Sequence, residues 1–269
     1  MSSGQSTGDA TINVTANAPD VLDGADGKCS LREAITNINN GATTYADCAT
    51  TGAYGTNDKI NIPAGTYTSD ISSFSITRSV SIVGAGAGST IIDGARIDRV
   101  LETTPKSVDM KVSISNVTIT GGFAVSGNST KHGTVGGGIY NSSTLIVTNC
   151  DISGNKTQSL RTGDGGGIYN TGTLTVINST ISGNTAAGGN GGGIANIRTL
   201  TITNSTISGN SAEFLDGGGG IYNSGALTVT NSTITGNTDA QSYNSYGNFA
   251  GILNSGGTVT LSNSIVQSD

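Results

Sequence analysis

The sequence predicts an all-β parallel solenoid, on three observations: a register-locked repeat, two-residue alternation within each repeat, and a glycine excess that only corners explain. Gly136-Gly137-Gly138-Ile139-Tyr140-Asn141 recurs at 165–170, at 191–196 with Ala195 for tyrosine, and at 218–223, with a degraded copy in Ala250-Gly251-Ile252-Leu253-Asn254. Each copy continues into alternating stretches such as Leu174-Thr175-Val176 and Ile181-Ser182-Gly183-Asn184, and the pattern reaches upstream to Val112 and Ile119. Alternation puts Ile, Leu and Val on one face and Ser and Thr on the other. Glycine accounts for 42 of 269 residues, about twice the ordinary ~7%.

One such unit cannot bury its own apolar face, so stacking at ~4.8 Å per coil supplies the core. Three short strands joined by corners are expected per coil. Ile139, Ile168, Ile194 and Ile221 then form a ladder inside. Asn149, Asn178, Asn204 and Asn231 form a hydrogen-bonded ladder at one corner. Glycines and asparagines at the corners supply left-handed backbone. A sandwich would show frequent turns without a locked register.

Irregular first coils fit Ile60, Ile62, Tyr67, Ile76, Val80, Ile82 and Ile91-Ile92, so the solenoid is expected over 58–269 and an N-terminal cap segment over 1–57. Within the cap, Ser30 and Glu33 make a capping box. Leu31, Ala34, Ile35 and Ile38 share a helical face that ends at Asn39-Asn40-Gly41. A short amphipathic helix plugs an open solenoid end, whose first coil presents unpaired edges. The far end stops at Ser264-Ile265-Val266-Gln267 without a cap, so the polypeptide is expected to continue or to pack on a neighbour.

Composition narrows the function classes. Charged residues are 11%, net charge is −6 and Lys+Arg number 12, which gives no counter-ion patch for nucleic acid. No apolar run reaches the length of a membrane span. The start Met1-Ser2-Ser3-Gly4 lacks the basic and apolar regions of a signal peptide, so an export signal would lie outside this sequence.

Asp26-Gly27 followed by Cys29-Ser30-Leu31-Arg32-Glu33-Ala34-Ile35 resembles the CSLREA-type N-terminal segment of bacterial secreted β-helix proteins. The Gly-Gly-Gly-Ile and Ile-Ser-Gly-Asn repeat is similar to that of chlamydial polymorphic outer-membrane proteins, with Ile where that family has Phe. The resemblance covers 26–35 and about 110–269. It implies a right-handed parallel β-helix of pectin-lyase-like type with a short N-terminal capping α-helix, on an exported or cell-surface protein. It implies no single activity, because this architecture carries lyases, hydrolases, epimerases, adhesins and passenger domains alike. In an exported protein Cys29 and Cys48 pair to staple the cap. Cys150, where other copies have Ser179, Ser205 and Ser232, is a buried or corner thiol.

Several motifs dissolve on inspection. Asp20, Asp23 and Asp26 suggest weak calcium binding, but Asp-Gly turns leading into a helix explain them more simply. Gly84-Ala85-Gly86-Ala87-Gly88 is followed by strand rather than helix, so it reads as a wide corner and not a phosphate loop. Asn-x-Ser/Thr at Asn116, Asn141, Asn178, Asn204 and Asn231 recurs as corner chemistry. Asn237-Thr238-Asp239 has no second or third carboxylate motif to make a polygalacturonase-like hydrolase.

Individuality lies in the variable segments 122–135, 156–164, 185–190, 211–216 and 238–248, which stack along one edge. Beside that edge runs an outward Tyr140, Tyr169 and Tyr222 stripe. With Glu213, Phe214, Tyr243 and Tyr246 these are the candidate ligand-binding residues. The reading is an adhesin-like module for a polysaccharide, a cell-surface glycan or a protein partner. The alternative is a lyase for uronate polysaccharide, with Lys131, His132 and Arg161 as base and neutralising cations. That enzyme would take calcium, with Asp164 and Asp216 as ligands. A minor alternative, ice binding, rests on the Thr201/Thr203 and Thr228/Thr230 array and on the array running from Thr118 to Thr235, interrupted by Asp151 and Ile177.

Overall fold

The computed structural model describes residues 9–22, 24–125, 132–159, 163–213, 217–239 and 250–267. Among these the chain is a right-handed parallel β-helix built on four sheets. Sheet 1 has ten strands, among them Thr144–Thr148, Thr173–Ile177 and Thr199–Thr203. Sheet 2 has eight, including Asp151–Ser153, Thr180–Ser182 and Thr206–Ser208. Sheet 3 has five, including Phe123–Val125, Lys156–Gln158 and Thr185–Ala187. Sheet 4 has seven, including Leu101–Thr103, Ile139–Asn141, Ile168–Asn170, Ile194–Asn196 and Ile221–Asn223.

The register is residue for residue. Ile139 pairs Ile168, Ile168 pairs Ile194 and Ile194 pairs Ile221 on sheet 4, all fully buried. Leu145, Leu174, Leu200 and Leu227 do the same on sheet 1. The glycine triplets have a divided role. Gly165 adopts φ +67°, and a Cβ on Gly166 or Gly167 would overlap a backbone carbonyl of the next coil, Gly192 or Gly193.

Sheet 3 corrects the expectation of three strands per coil. Its strands are two or three residues long, begin inside the variable segments, and bury only small side chains such as Ala124, Thr157, Ala186, Ala187 or Ala212. So short an element carries no apolar alternation to read.

The asparagine chemistry also differs from the expected placement. Asn116, Asn149, Asn178, Asn204 and Asn231 do sit at left-handed corners, with φ between 48° and 58°. At those corners Asn149 donates to Asn116 at 3.2 Å and Asn263 to Asn231 at 2.7 Å, whereas the continuous side-chain ladders run elsewhere and are largely buried. In one, Asn141 donates to Asn170, Asn170 to Asn196, Asn196 to Asn223 and Asn223 to Asn254, each at 2.7 Å. In the other, Asn155 donates to Asn184, Asn184 to Asn210 and Asn210 to Asn237 at 2.9–3.0 Å. Asn141 therefore belongs to a core ladder and not to a corner.

The cap helix spans Leu31–Asn40, with Ser30 and Glu33 in a reciprocal capping box and Gly41 closing it at φ 62°. Leu31, Ala34, Ile35 and Ile38 are buried against the first coils. Arg32 makes a two-point ion pair with Asp20 at 2.7 and 2.8 Å and lies over the Phe74 ring. Cys29 and Cys48 are disulfide-bonded. Sheet 1 reaches past residue 58, because Thr11–Asn13 pairs in parallel with Lys59–Ile62. The first strand of the stack thus lies in the cap segment, and the helix is an excursion between it and the regular coils.

Candidate functional site

The outward position in the middle of each sheet 4 strand forms a ladder of Glu102, Tyr140, Tyr169, Ala195 and Tyr222. Parallel in-register pairing puts these side chains one coil apart, so flat rings at adjacent positions stack along the solenoid axis. Tyr140 and Tyr169 stack with centroids 5.9 Å apart and planes at 17°. His132 lies on the other side of Tyr140 at 4.1 Å and 10°. Tyr140 is therefore covered on both faces, whereas Tyr169 has Ala195 rather than a ring on its far side.

Beneath the stack sits a charged cluster that the sequence reading passed over. Arg99 is 1% exposed. Its guanidinium donates to the carbonyls of Val135 and Gly133 at 2.7 and 2.9 Å, and lies 5.4 Å from the Tyr140 centroid. Asp98 approaches it at 3.9 Å. Burial pulls Arg99 below its ordinary pKa, while Asp98 and Glu102 act in the opposite sense. Glu102 is itself buried, and its Oε2 lies 3.9 Å from His132 Nε2. The His132 side chain keeps 26% of its surface in solvent. Two carboxylates, one guanidinium and one imidazole thus converge under and beside the half-buried tyrosines. The signal that could have found Glu102 is the alignment of Leu101-Glu102-Thr103 with Ile139-Tyr140-Asn141, which puts a charge where later coils have an aromatic ring.

The next coil adds a negative charge. Burial raises the Tyr169 phenol above its ordinary pKa, and the charge of Asp164 adds to the rise. Asp164 Oδ1 accepts the Asn190 N–H at 2.7 Å. Among the described residues no three His, Cys, Asp or Glu side chains come together as a metal-binding set.

The structure brings together His132, Tyr140 and Tyr169, with Asp164 close by. Tyr222 stands apart across the fully buried Ala195. Glu213 is exposed just past the sheet 3 strand Ser211–Ala212, on a different flank of the coil. Lys131, Arg161, Phe214, Asp216, Tyr243 and Tyr246 lie outside the described residues, as does Asp23 of the cap. The threonine arrays hold their register, Thr201 on Thr228 and Thr180 on Thr206, but on sheets 1 and 2.

No curated protein sequence matches the chain. Among solved structures it is similar to pectate lyase Pel9A, with 15% identity, a TM-score of 0.53 and coverage of 96% of this chain and 64% of that one. It thus spans less than two thirds of the length of the pectate lyase. A structure of Geobacillus virus E2 ORF18 has 12% identity, a TM-score of 0.27 and coverage of 80% and 55%. Residues 107–268 match the family described as the right handed beta helix region. With the coils, ladders and register of that stretch already in view, the chain belongs to the right-handed β-helix family.

Proposed function

We propose that this chain is an exported β-helix module that binds carbohydrate along the sheet 4 edge, with the His132, Tyr140 and Tyr169 stack as its contact surface. The observation that carries the reading is the buried Asp98, Arg99 and Glu102 cluster beneath half-buried rings that reach solvent. Burying such charges costs free energy that an apolar filling would not. Preorganised charged and phenolic groups beside aromatic edges are what hydroxyl-rich rings need for orientation. The disulfide fits an oxidising compartment.

A lyase reading has one specific support, a solvent-touching imidazole backed by a buried carboxylate at Glu102. Its other expected groups, Lys131, Arg161 and Asp216, lie outside the described residues. The fold neighbour named a pectate lyase makes uronate polymers the first substrates to try.

Affinity electrophoresis against neutral and uronate polysaccharides, with and without calcium, tests the binding reading. Retardation by at least one polymer is expected. Tyr169→Ala should weaken it about tenfold or more with the melting temperature little changed, because Tyr169 is half-buried on the outside of the coil. Absence of retardation by every polymer contradicts the proposal. Ultraviolet-absorbing unsaturated ends in the same mixtures would establish the lyase instead.

A further inference from the structure

The corner between sheets 1 and 2 is two residues long in later coils, as in Asn149-Cys150 and Asn178-Ser179. After the strand Val80–Gly84 it is five residues long, 85–89. This long corner leans over the next coil, where Gly86 N–H donates to Asn116 O at 3.0 Å and Gly88 N–H to Thr118 Oγ1 at 2.9 Å. Ala87 and Gly88 thereby wall one end of an open cavity of about 520 Å³ that runs past Asn116 and Asn149 to Asn178 and Thr180. Its length is three coil spacings of ~4.8 Å each. Inside the cavity the repeat breaks a second time. The outward rung that opens each sheet 2 strand is threonine at Thr118, Thr180, Thr206 and Thr233, but aspartate at Asp151. Asp151 Oδ1 is shut from solvent without a hydrogen-bond partner, and among the described residues no cationic side chain forms an ion pair with this carboxylate.

We infer that this cavity binds an amino sugar, with Asp151 taking its ammonium group and the corner asparagines its hydroxyls. The site lies away from the sheet 4 surface and does not rest on the reading given for it. A carboxylate with one oxygen deprived of both water and donors has an undercompensated charge. A cation entering the cavity that Asp151 lines supplies the missing partner. The neighbouring groups are uncharged amides and hydroxyls. Asn149 donates to Asn116 at 3.2 Å, which leaves the Asn149 oxygen and the Asn116 amide hydrogens to face a ligand, and Asn178 is exposed. Calcium fits poorly, because it takes about six to eight oxygens and no three His, Cys, Asp or Glu side chains come together among the described residues. A lysine side chain would bring an ammonium on an aliphatic stem that seeks apolar surface, whereas Ala87 is the aliphatic residue of this lining. A sugar ring carries hydroxyls that suit the asparagine amides and Thr180, and the length of the cavity suits a short oligomer.

Calorimetric titration with oligosaccharides of glucosamine, N-acetylglucosamine and glucose, matched in linkage and length, tests this in mildly acidic buffer that keeps glucosamine protonated. The glucosamine oligomer should bind about fivefold tighter or more than the other two. Asp151→Thr restores the residue of the neighbouring rungs, so it should fold with little change in Tm and bring the glucosamine oligomer down to the affinity of its uncharged counterparts. Asp151→Asn, which keeps the shape and removes the charge, should do the same. Equal affinity for the three oligomers, or undiminished glucosamine binding by Asp151→Thr, overturns the inference. So does an absence of glucosamine binding, even where calcium or a lysine-rich peptide binds instead.

Discussion

Cys150 occupies the rung at which four later coils have serine, Ser179, Ser205, Ser232 and Ser264. Its backbone N–H donates to Ser179 Oγ at 3.1 Å, and the same bond links Ser179 to Ser205 and Ser205 to Ser232. Each serine hydroxyl closes onto the carbonyl two residues back, and the Cys150 thiol does so at 3.2 Å from Thr148. Burial pushes this thiol up to about 11 from its ordinary 9.0. The folded state therefore holds its proton where the unfolded chain loses it. The stabilisation is full below about pH 9 and is lost as pH climbs to about 11, a difference of roughly 2–3 kcal/mol. Cys150→Ser should fold with stability within about 1 kcal/mol of wild type at neutral pH, and should lose less stability than wild type over that alkaline range. Parallel denaturation curves at neutral and alkaline pH measure this. Equal alkaline losses in the two proteins would show that the thiol is not held protonated by the fold. The repeat alignment made this residue legible in the sequence. Glu102 and Arg99 were not, because their roles depend on coils that pair only after folding, 38 residues apart for Glu102 and Tyr140.

Two elements differ in how they hold their asparagines, and the difference is measurable. Asn184 Oδ1 accepts both the backbone and side-chain N–H of Asn155, while its amide reaches Ile152 O at 2.8 Å and Asn210 Oδ1 at 3.0 Å. Asn184→Ala leaves several buried groups without partners and should cost about 3 kcal/mol or more. Asn178 sits at an exposed corner with φ 48°, so Asn178→Ala should cost about 1–2 kcal/mol and Asn178→Gly almost nothing. Urea melts of the three variants separate these cases. The cap makes a further prediction: Cys29→Ser should lower stability by about 2–5 kcal/mol, since the disulfide closes the loop that carries the helix. An unchanged melting temperature on reduction would contradict that. The helix was legible because capping box, apolar stripe and closing glycine all fall within Ser30 to Gly41. Sheet 3 was hidden because strands such as Ser211–Ala212 bury one alanine and resemble loop in composition.

Over the whole molecule, stacking turns a local repeat into extended surfaces, each with one chemistry. The core is a set of aliphatic ladders, the later coils of sheets 1 and 2 carry mostly threonine and serine outside, and sheet 4 carries the tyrosine stripe with Glu102. The proposed contact surface lies where the repeat is broken, at the coils whose outward sheet 4 residues are Glu102 and Tyr140. The variable edge was readable from the loops, but the charged cluster beside it was not. The variable segments show which edge differs, whereas the charges beneath come from Asp98, Arg99 and Glu102 in an earlier coil. Hydrogen–deuterium exchange with and without a retained polysaccharide tests the central claim most directly. Protection confined to residues 132–141 and 163–170, with Thr173–Ile177 and Thr180–Ser182 unchanged, is the predicted footprint. Protection over the threonine faces of sheets 1 and 2, with 132–141 unaffected, would contradict it.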